Sequence, residues 1–321
     1  MPPPPKPKPV ADPEQLAALQ DTLARLTGDD PAKLRFGIAV SGGPDSVGLL
    51  LLMHQLKVGG LEAATVDHGL RPESAAEADE VARLCHKLRI HHGTLRSETP
   101  LAGSIQAEAR ALRYRLLEQW RKSRGLDFIL TAHHADDQAE TLLMRLNRAS
   151  GVAGLAAIRA RNGRVLRPLL DWRHSSLVEI CARTGVAVAD DPSNHDMRFD
   201  RARLRKQMRD AEWLDPVALA RSAALLGRAH DALDWAAQQA AAGAAPDVIV
   251  DGNWPQEIGW RVMRDCLSAF AGCPVDDQRQ LTDAIAKLRS GAKVSLGPVT
   301  ITPDRKHPTR WRIAAAPPRR V

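Results

Sequence analysis

The stretch FGIAVSGGPDSVGLLLL, Phe36 to Leu52, limits the fold more than any other part of the chain. An apolar run of strand length stops at Ser-Gly-Gly-Pro-Asp-Ser, and a second apolar run begins at once. A strand that turns directly into a helix is the unit of an open parallel sheet, and ligands bind at the carboxyl ends of such strands. Ser41 to Ser46 lies at one of those ends. Gly42 and Gly43 admit positive φ and close approach of a ligand to the backbone. Pro44 has no N–H to lose in a first helical turn. Free amides and the positive end of the helix dipole then make an anion site. Ser41 and Ser46 add hydroxyl groups, and Asp45 is placed to hold Mg2+ between phosphates. A capped turn explains Ser-Gly-Gly alone, but not the whole hexapeptide directly after a strand. The loop is not a Walker A motif, because no Gly-Lys-Ser/Thr follows, and it lacks the GxGxxG of dinucleotide sites.

The pattern of alternation repeats downstream. Strands are expected at Leu34–Val40, Leu61–Val66, His92–Leu95, Asp127–Ala132 and Arg164–Leu170. Helices are expected at Asp45–Leu56, Glu73–Leu88, Ser104–Arg121, Ala135–Asn147, Ser175–Arg183 and Arg201–Arg209. Together they predict an α/β fold, an open parallel sheet with helices on both faces. Beyond Asp215-Pro216 the composition shifts to an Ala-rich helix, Val217–Ala245, which Pro246 breaks. Short strands in DVIVDG and KVSLGPVTITP, with helices at Trp260–Phe270 and Asp277–Arg289, predict a smaller α+β domain over 216–321. Residues 31–215 then form the main domain, and 1–30 an extension that opens on the extended, disordered tail MPPPPKPKPV. The basic end TRWRIAAAPPRRV reads as a solvated tail.

Charge narrows the partners. A net charge of +7 suits a polyanion, nucleic acid first. The four cysteines, Cys85, Cys181, Cys266 and Cys273, form no CxxC, which disfavours a zinc ribbon, a disulfide framework and cluster chemistry. A reducing, cytoplasmic setting is expected. No run is long and apolar enough for a bilayer span, and no apolar region follows the first lysines as in a secretory signal.

SGGPDS resembles the PP-loop of the N-type ATP pyrophosphatases, which split ATP between the α and β phosphates. Five further segments occur in a fixed order: VDHGLR (Val66–Arg71), EARALRY (Glu108–Tyr114), TAHHADDQAET (Thr131–Thr141), RPLL (Arg167–Leu170) and DDPSN (Asp190–Asn194). As a set they resemble the short form of the tRNA(Ile)-lysidine synthetase family. The resemblance implies a PP-loop catalytic domain, ATP and Mg2+ as cofactors, and two substrates, free L-lysine and a tRNA(Ile) with a CAU anticodon. ATP would adenylate the C2 oxygen of the wobble cytidine. The lysine ε-amine would then attack C2 and release AMP, so that the codon read changes from AUG to AUA. Pyrophosphate is the other product. A homodimer is left open.

The residues suit that chemistry. His133, Asp137 and Glu140, spaced i, i+4 and i+7, are expected to share one helix face that looks toward the phosphate loop. A lysine amine, with a pKa of about 10.4, must lose a proton before it attacks. Asp137 is assigned to ammonium or metal binding and Glu140 to the base, with Asp136 a second choice. Taken singly, each also fits a plain helix start, where the dipole favours an acid by about 0.3–1 kcal/mol. Val66 is placed against adenine, and Asp67 and His68 shape that pocket or close its turn. Arg110 and Arg113 either reach ATP or tRNA phosphates or form a solvated basic face. Arg201 and Arg205 match arginines of the family and would steady pyrophosphate or grip the anticodon backbone; Arg198 lies on a related turn. Asp191 to Asn194 read as a turn that positions this helix. The chain departs from the family pattern at Ala156-Ala157, at Ala187-Val188-Ala189 and at Ala202.

Three rivals remain at this level. A tRNA thiolase of the same class would need cysteines that are absent here. An amide-forming ligase on a metabolite would not need the basic charge. An RNA-binding protein with a relic nucleotide fold would not turn over ATP.

Overall fold

A computed structural model describes residues 10–67, 73–97, 105–189, 200–242, 247–272 and 277–316. His68, Arg71, the Asp190–Asn194 motif and Arg198 lie outside the described residues. The chain divides into two compact units, Met1–Leu226 and Gly227–Val321.

The first unit opens on α1 (Pro13–Thr27). Asp12 caps it, with its own amide donating to Gln15 Oε1 at 3.1 Å, and Gly28 ends it at a φ of 79°. Leu19, Leu23 and Leu26 line one stripe and enter the same core as the first strand. There follow β1 (Arg35–Ala39), α2 (Pro44–Leu56), β2 (Gly60–Asp67), α3 (Glu73–Leu88), β3 (His91–Arg96) and α4 (Ile105–Arg124). The chain continues with β4 (Phe128–Leu130), α5 (Ala135–Leu146), α6 (Val152–Leu155), β5 (Arg161–Asn162), β6 (Val165–Leu166), α7 (His174–Thr184), α8 (Asp200–Asp210) and α9 (Pro216–Ala241). The last of these runs across the division between the units.

Strand order is β3-β2-β1-β4-β6-β5, parallel except for the short β5–β6 pair. Phe36 pairs with Leu61 on one side and Phe128 on the other, which fixes the register at the centre. The chain first builds outward from β1 through β2 and β3, then returns to lay β4 on the opposite side. The order therefore reverses between β1 and β4, where open α/β sheets leave a crevice for a ligand. The loop after β1 and the turn after β4 both open into that crevice.

α2 is apolar on every face because it is buried on every face: Val47 through Met53 are all inaccessible. Gly48 in its middle has a packing reason. A Cβ there would stand 3.3 Å from Leu177, so the missing side chain lets α7 lie close against α2. Among the described residues, no helix is long and apolar enough to cross a membrane.

The second unit adds β7 (Val248–Val250), α10 (Gln256–Ala271), α11 (Gln278–Arg289), β8 (Val294–Leu296), β9 (Val299–Pro303) and β10 (Arg310–Ala315). Its sheet is antiparallel, in the order β7-β10-β9-β8. Part of the basic end, expected to be a solvated tail, is the inner strand β10. Trp311 and Ile313 point into the core while Arg310 and Arg312 face out. The alternation was present in TRWRI, but the arginines on the outer face dominate its composition. Arg261 is wholly buried in this unit, held by Glu257 at 2.7 Å, Asp234 at 2.5 Å and His230 at 2.9 Å.

Candidate active site

The loop after β1 folds on itself. The Ser41 amide donates to Ser46 Oγ at 3.0 Å, and that hydroxyl donates to the Gly43 carbonyl at 3.0 Å. Ser46 is buried and closes the loop, whereas Ser41 is exposed at its rim. Gly42 has a φ of 91°, a left-handed conformation that disfavours any residue with a Cβ. Its carbonyl accepts the Ala189 amide at 2.9 Å. A departure from the family pattern thus touches the loop through backbone. Gly43 caps α2, and Pro44, Asp45 and Ser46 form its first turn, where amides have no carbonyl one turn back. Val66 stands near the end of β2, half-buried beside the same sheet edge.

The turn after β4 supplies the opposite wall. His134, not His133, caps α5. Its amide donates to Asp137 Oδ2 at 3.2 Å. Its ring is buried, with Nε2 3.4 Å from Asp45 Oδ2 and 3.5 Å from Asp137 Oδ2, and Nδ1 3.6 Å from Asp136 Oδ2. Burial alone would drive the proton off this ring. Hydrogen bonds to Asp136 and Asp45, with the charge of Asp137, overcome it and raise the pKa to about 10. The imidazolium carries protons on both nitrogens. The Asp137 amide, 3.4 Å from Nδ1, then has no acceptor there, and the cap rests on the Asp137 carboxylate.

His174, the first residue of α7, completes the wall. Its Nδ1 lies 2.7 Å from Asp45 Oδ1 and its amide donates to Asp136 Oδ2 at 2.9 Å. Arg173 forks onto Asp136 at 3.0 and 3.2 Å. Burial pushes the Asp45 and Asp136 carboxyls up, but the histidines and, for Asp136, Arg173 hold both well below the usual carboxylate range. The loop, α5 and α7 are therefore tied by one charge cluster.

A second ion pair lies deeper on α5. Arg205 of α8 donates to Glu140 Oε1 at 2.6 Å and Oε2 at 3.1 Å, and lies 3.8 Å from Asp137 Oδ1. Glu140 is 1% exposed. Burial disfavours the Arg205 charge, yet Glu140 outweighs it and raises the guanidinium pKa. Arg201 reaches Thr141 Oγ1 at 2.9 Å and stands 3.8 Å from Glu140. Ala202, where the family pattern has Asn, is buried.

His133 does not share the α5 face with Asp137 and Glu140. The helix starts two residues later, so the i, i+4, i+7 spacing does not run through one helix. Its Nδ1 meets Thr131 Oγ1 at 3.0 Å. Burial lowers its pKa to about 4 against the pull of Asp137, helped by the charges of Arg167 and Arg110. It is neutral at pH 7. Arg110 and Arg113 share a face of α4, and Arg110 lies over the Tyr114 ring at 5.2 Å. The Tyr114 hydroxyl accepts from Arg167 at 3.3 Å. Arg167 is buried, and no carboxylate among the described residues pairs with it.

Sequence reasoning passed over His134, Arg173 and His174. His134 lies inside TAHHADDQAET directly beside His133, and nothing in the sequence separates the two. His174 and Arg173 open a helix just after β6, a position that marks a site only once β6 is known to border β4.

The donor set can be tested against Mg2+. Among the described residues, Asp45, His134 and His174 bring ligand atoms within 4.8 Å of one another. Imidazole nitrogen is a poor Mg2+ ligand, and a protonated His134 is none at all. The carboxylates of Asp45 and Asp137 offer the oxygen ligands that Mg2+ prefers, and both face the His134 ring beside the loop, at 3.4 and 3.5 Å from Nε2. The histidines and Arg205 balance their charge.

Comparison with known proteins agrees with this geometry. The model of the PP-loop domain matches residues 15–212. A tRNA(Ile)-lysidine synthase of Novosphingobium aromaticivorans is 40% identical, over 94% of this chain and 96% of that protein. One of Zymomonas mobilis is 37% identical, over 90% and 91%. A U34-tRNA thiolase from Methanococcus maripaludis superposes with a TM-score of 0.54 at 14% identity, over 69% of this chain and 80% of that one, which speaks to the fold alone. The expected open parallel α/β sheet is thus a PP-loop fold, and relatives nearly as long as the chain match along most of it: the protein belongs to the tRNA(Ile)-lysidine synthase family of ATP-utilising ligases.

Proposed function

We propose that the protein joins free L-lysine to C2 of the wobble cytidine of a tRNA(Ile) with a CAU anticodon, in two steps at the crevice between β1 and β4. In the first, the C2 oxygen attacks the α-phosphorus of ATP, and the bond to the β-phosphate breaks. In the second, the lysine ε-nitrogen attacks C2, and AMP leaves with the C2 oxygen. The observation that carries this reading is the cluster joining Asp45 of the phosphate loop to His134, Asp136, Asp137 and His174. It sets acids and bases directly beside a helix N-terminus built for phosphates.

The roles follow from the surroundings of each residue. The amides of Gly42, Gly43, Asp45 and Ser46 and the Ser41 hydroxyl hold the leaving pyrophosphate, with Gly43 and Pro44 shaping the turn. Val66 faces the adenine. Asp45 and Asp137 would hold Mg2+, which supplies charge neutralisation on the phosphates when bound. Asp137, less buried than Glu140, receives the lysine ammonium and takes its proton. Glu140, expected as the base, is sealed beneath Arg205; its place is to fix that guanidinium over the reacting groups. Neutral His133 offers a hydrogen bond without adding charge. Arg201, Arg110 and Arg113 meet anionic parts of the substrates. Residues 31–215 would carry the chemistry and 216–321 would bind tRNA, in the cytoplasm.

Purified protein with ATP·Mg, labelled lysine and total tRNA tests the whole reading. Label should enter RNA only with ATP present, one AMP per lysine. Turnover of ATP without RNA labelling would overturn it.

A further inference from the structure

Arg167 is only 5% exposed, and its Nε is a buried donor with no acceptor among the described residues. The rest of the guanidinium is held by neutral groups. Nη1 donates to the Arg159 carbonyl at 2.8 Å and Nη2 to the Tyr114 hydroxyl at 3.3 Å. A second cation, Arg110, lies over the Tyr114 ring at 5.2 Å. Among the described residues no carboxylate pairs with either arginine, and the acids nearest in sequence, Glu108 and Asp171, pair with neither. A buried guanidinium without an anion is costly, and an unfilled buried donor calls for a reason. An anion supplied from outside the chain would answer both.

The place of Arg167 in the sheet identifies that anion. β6 runs parallel to β4 with Leu166 beside Leu130, so Arg167 and Thr131 stand next to each other at the carboxyl edge. The Thr131 hydroxyl meets His133 at 3.0 Å. The His133 ring feels the charge of Asp137 as well as those of Arg167 and Arg110. Asp137, the proposed seat of the lysine ammonium, and the two cations therefore surround one ring. The phosphate loop follows β1, two strands and about 10 Å from β6. Along the edge the order is phosphate loop, Asp137, Arg167. The triphosphate belongs at the first of these. An amine seated at Asp137 carries its own carboxylate one four-carbon stem away, on the side of Arg167. A planar guanidinium also matches a carboxylate better than any other side chain does.

Resting on the proposed lysine substrate, we propose that Arg167, flanked by Arg110 and the Tyr114 hydroxyl, holds the α-carboxylate of the incoming lysine, so that the site selects a free amino acid by both of its ends. Incorporation of labelled lysine into tRNA by the full chain tests this, with two competitors. 6-Aminohexanoate keeps the amine and the carboxylate; 1,5-diaminopentane keeps the amine alone. R167Q should raise the KM for lysine about 30-fold, with kcat changed far less. The Ki of 6-aminohexanoate should rise by the same factor, and that of 1,5-diaminopentane should be equal in both proteins. Melting shows whether R167Q folds. If it does not, R110A, at an exposed residue, should shift lysine and 6-aminohexanoate in the same direction and again spare the diamine. An unchanged KM for lysine in a folded R167Q overturns the proposal. So does an equal loss for the diamine, which would make Arg167 a packing residue. Slowing of adenylyl transfer to the cytidine without lysine, by as much as lysine use is slowed, would assign the cations to phosphate instead. Each of these results leaves lysine transfer by the natural chain standing. If the natural chain incorporates no lysine, the functional reading falls first and this one with it.

Discussion

At the residue scale, a few side chains answer for the chemistry, and their environments separate them. Asp45 touches both histidines and stands in the first turn after the phosphate loop. Asp45→Ala should abolish AMP formation while leaving the fold intact; turnover within tenfold of the natural enzyme would remove Asp45 from the site. Glu140→Gln should leave Arg205 with half of its anchor. The loss is on the order of 1–3 kcal/mol of stability, since the carboxylate is buried and the guanidinium is not fully so. A positioning role predicts equal slowing of adenylation and lysine transfer in single-turnover assays. Slowing of lysine transfer alone would restore Glu140 as the base.

The histidines give opposite pH signatures in the metal-free protein. His134 keeps its proton in the folded state up to about pH 10, but loses it near 6.5 when unfolded. Its contribution is complete below pH 6.5 and drains away as pH rises toward 10. His133 stays neutral down to about pH 4 when folded, so its burial costs stability as pH falls from 6.5 to 4. Denaturant titrations at pH 7 and 9.5, with chelator present, should show a smaller loss for His134→Gln than for the natural chain. Buried Cys85 and Cys181, whose thiols are pushed up to about 11, add the same alkaline loss to both proteins and cancel in the comparison.

Elements carry the next layer. The strand-loop-helix unit at Phe36–Leu52 could be read from sequence because three constraints coincide there: an apolar strand, glycines at a bend, and a helix apolar on all sides. Gly42→Val would force a β-branched residue into the left-handed region and against Ala189, 3.5 Å from the new Cβ. It should cost about 1–3 kcal/mol and weaken ATP binding, measured by melting and by nucleotide titration. Unaltered nucleotide affinity would show that the loop's bend is not what ATP requires. The start of α5 was less legible. His133 and His134 are chemically identical in the sequence, and only the cap geometry separates an imidazolium among three carboxylates from a neutral ring near two arginines. β10 was hidden for a different reason: its outward arginines mask a buried Trp311–Ile313 pair.

For the whole molecule, topology turns remote segments into one site. Asp45, His134 and His174 are far apart in sequence and meet because β1, β4 and β6 are neighbours in the sheet. Sequence alone gave the parallel sheet and the phosphate loop, but the strand order that recruits His174 depends on which strands pair. Net charge belongs to this scale too. With +7 overall, tRNA binding should weaken steeply with salt, about ten- to a thousandfold between 50 and 200 mM if a handful of phosphates is neutralised. A flat salt response would strip the charge of any role in recognition.

On the proposed mechanism, the crevice between β1 and β4 transfers an adenylyl group from ATP to a base of the tRNA before lysine enters. Mass analysis of the anticodon fragment, after incubation with ATP·Mg and tRNA but no lysine, tests it directly. The wobble cytidine should gain an adenylyl group, and adding lysine should replace that mass with lysine and release AMP. An unmodified cytidine without lysine, alongside full lysine incorporation when lysine is present, would contradict it.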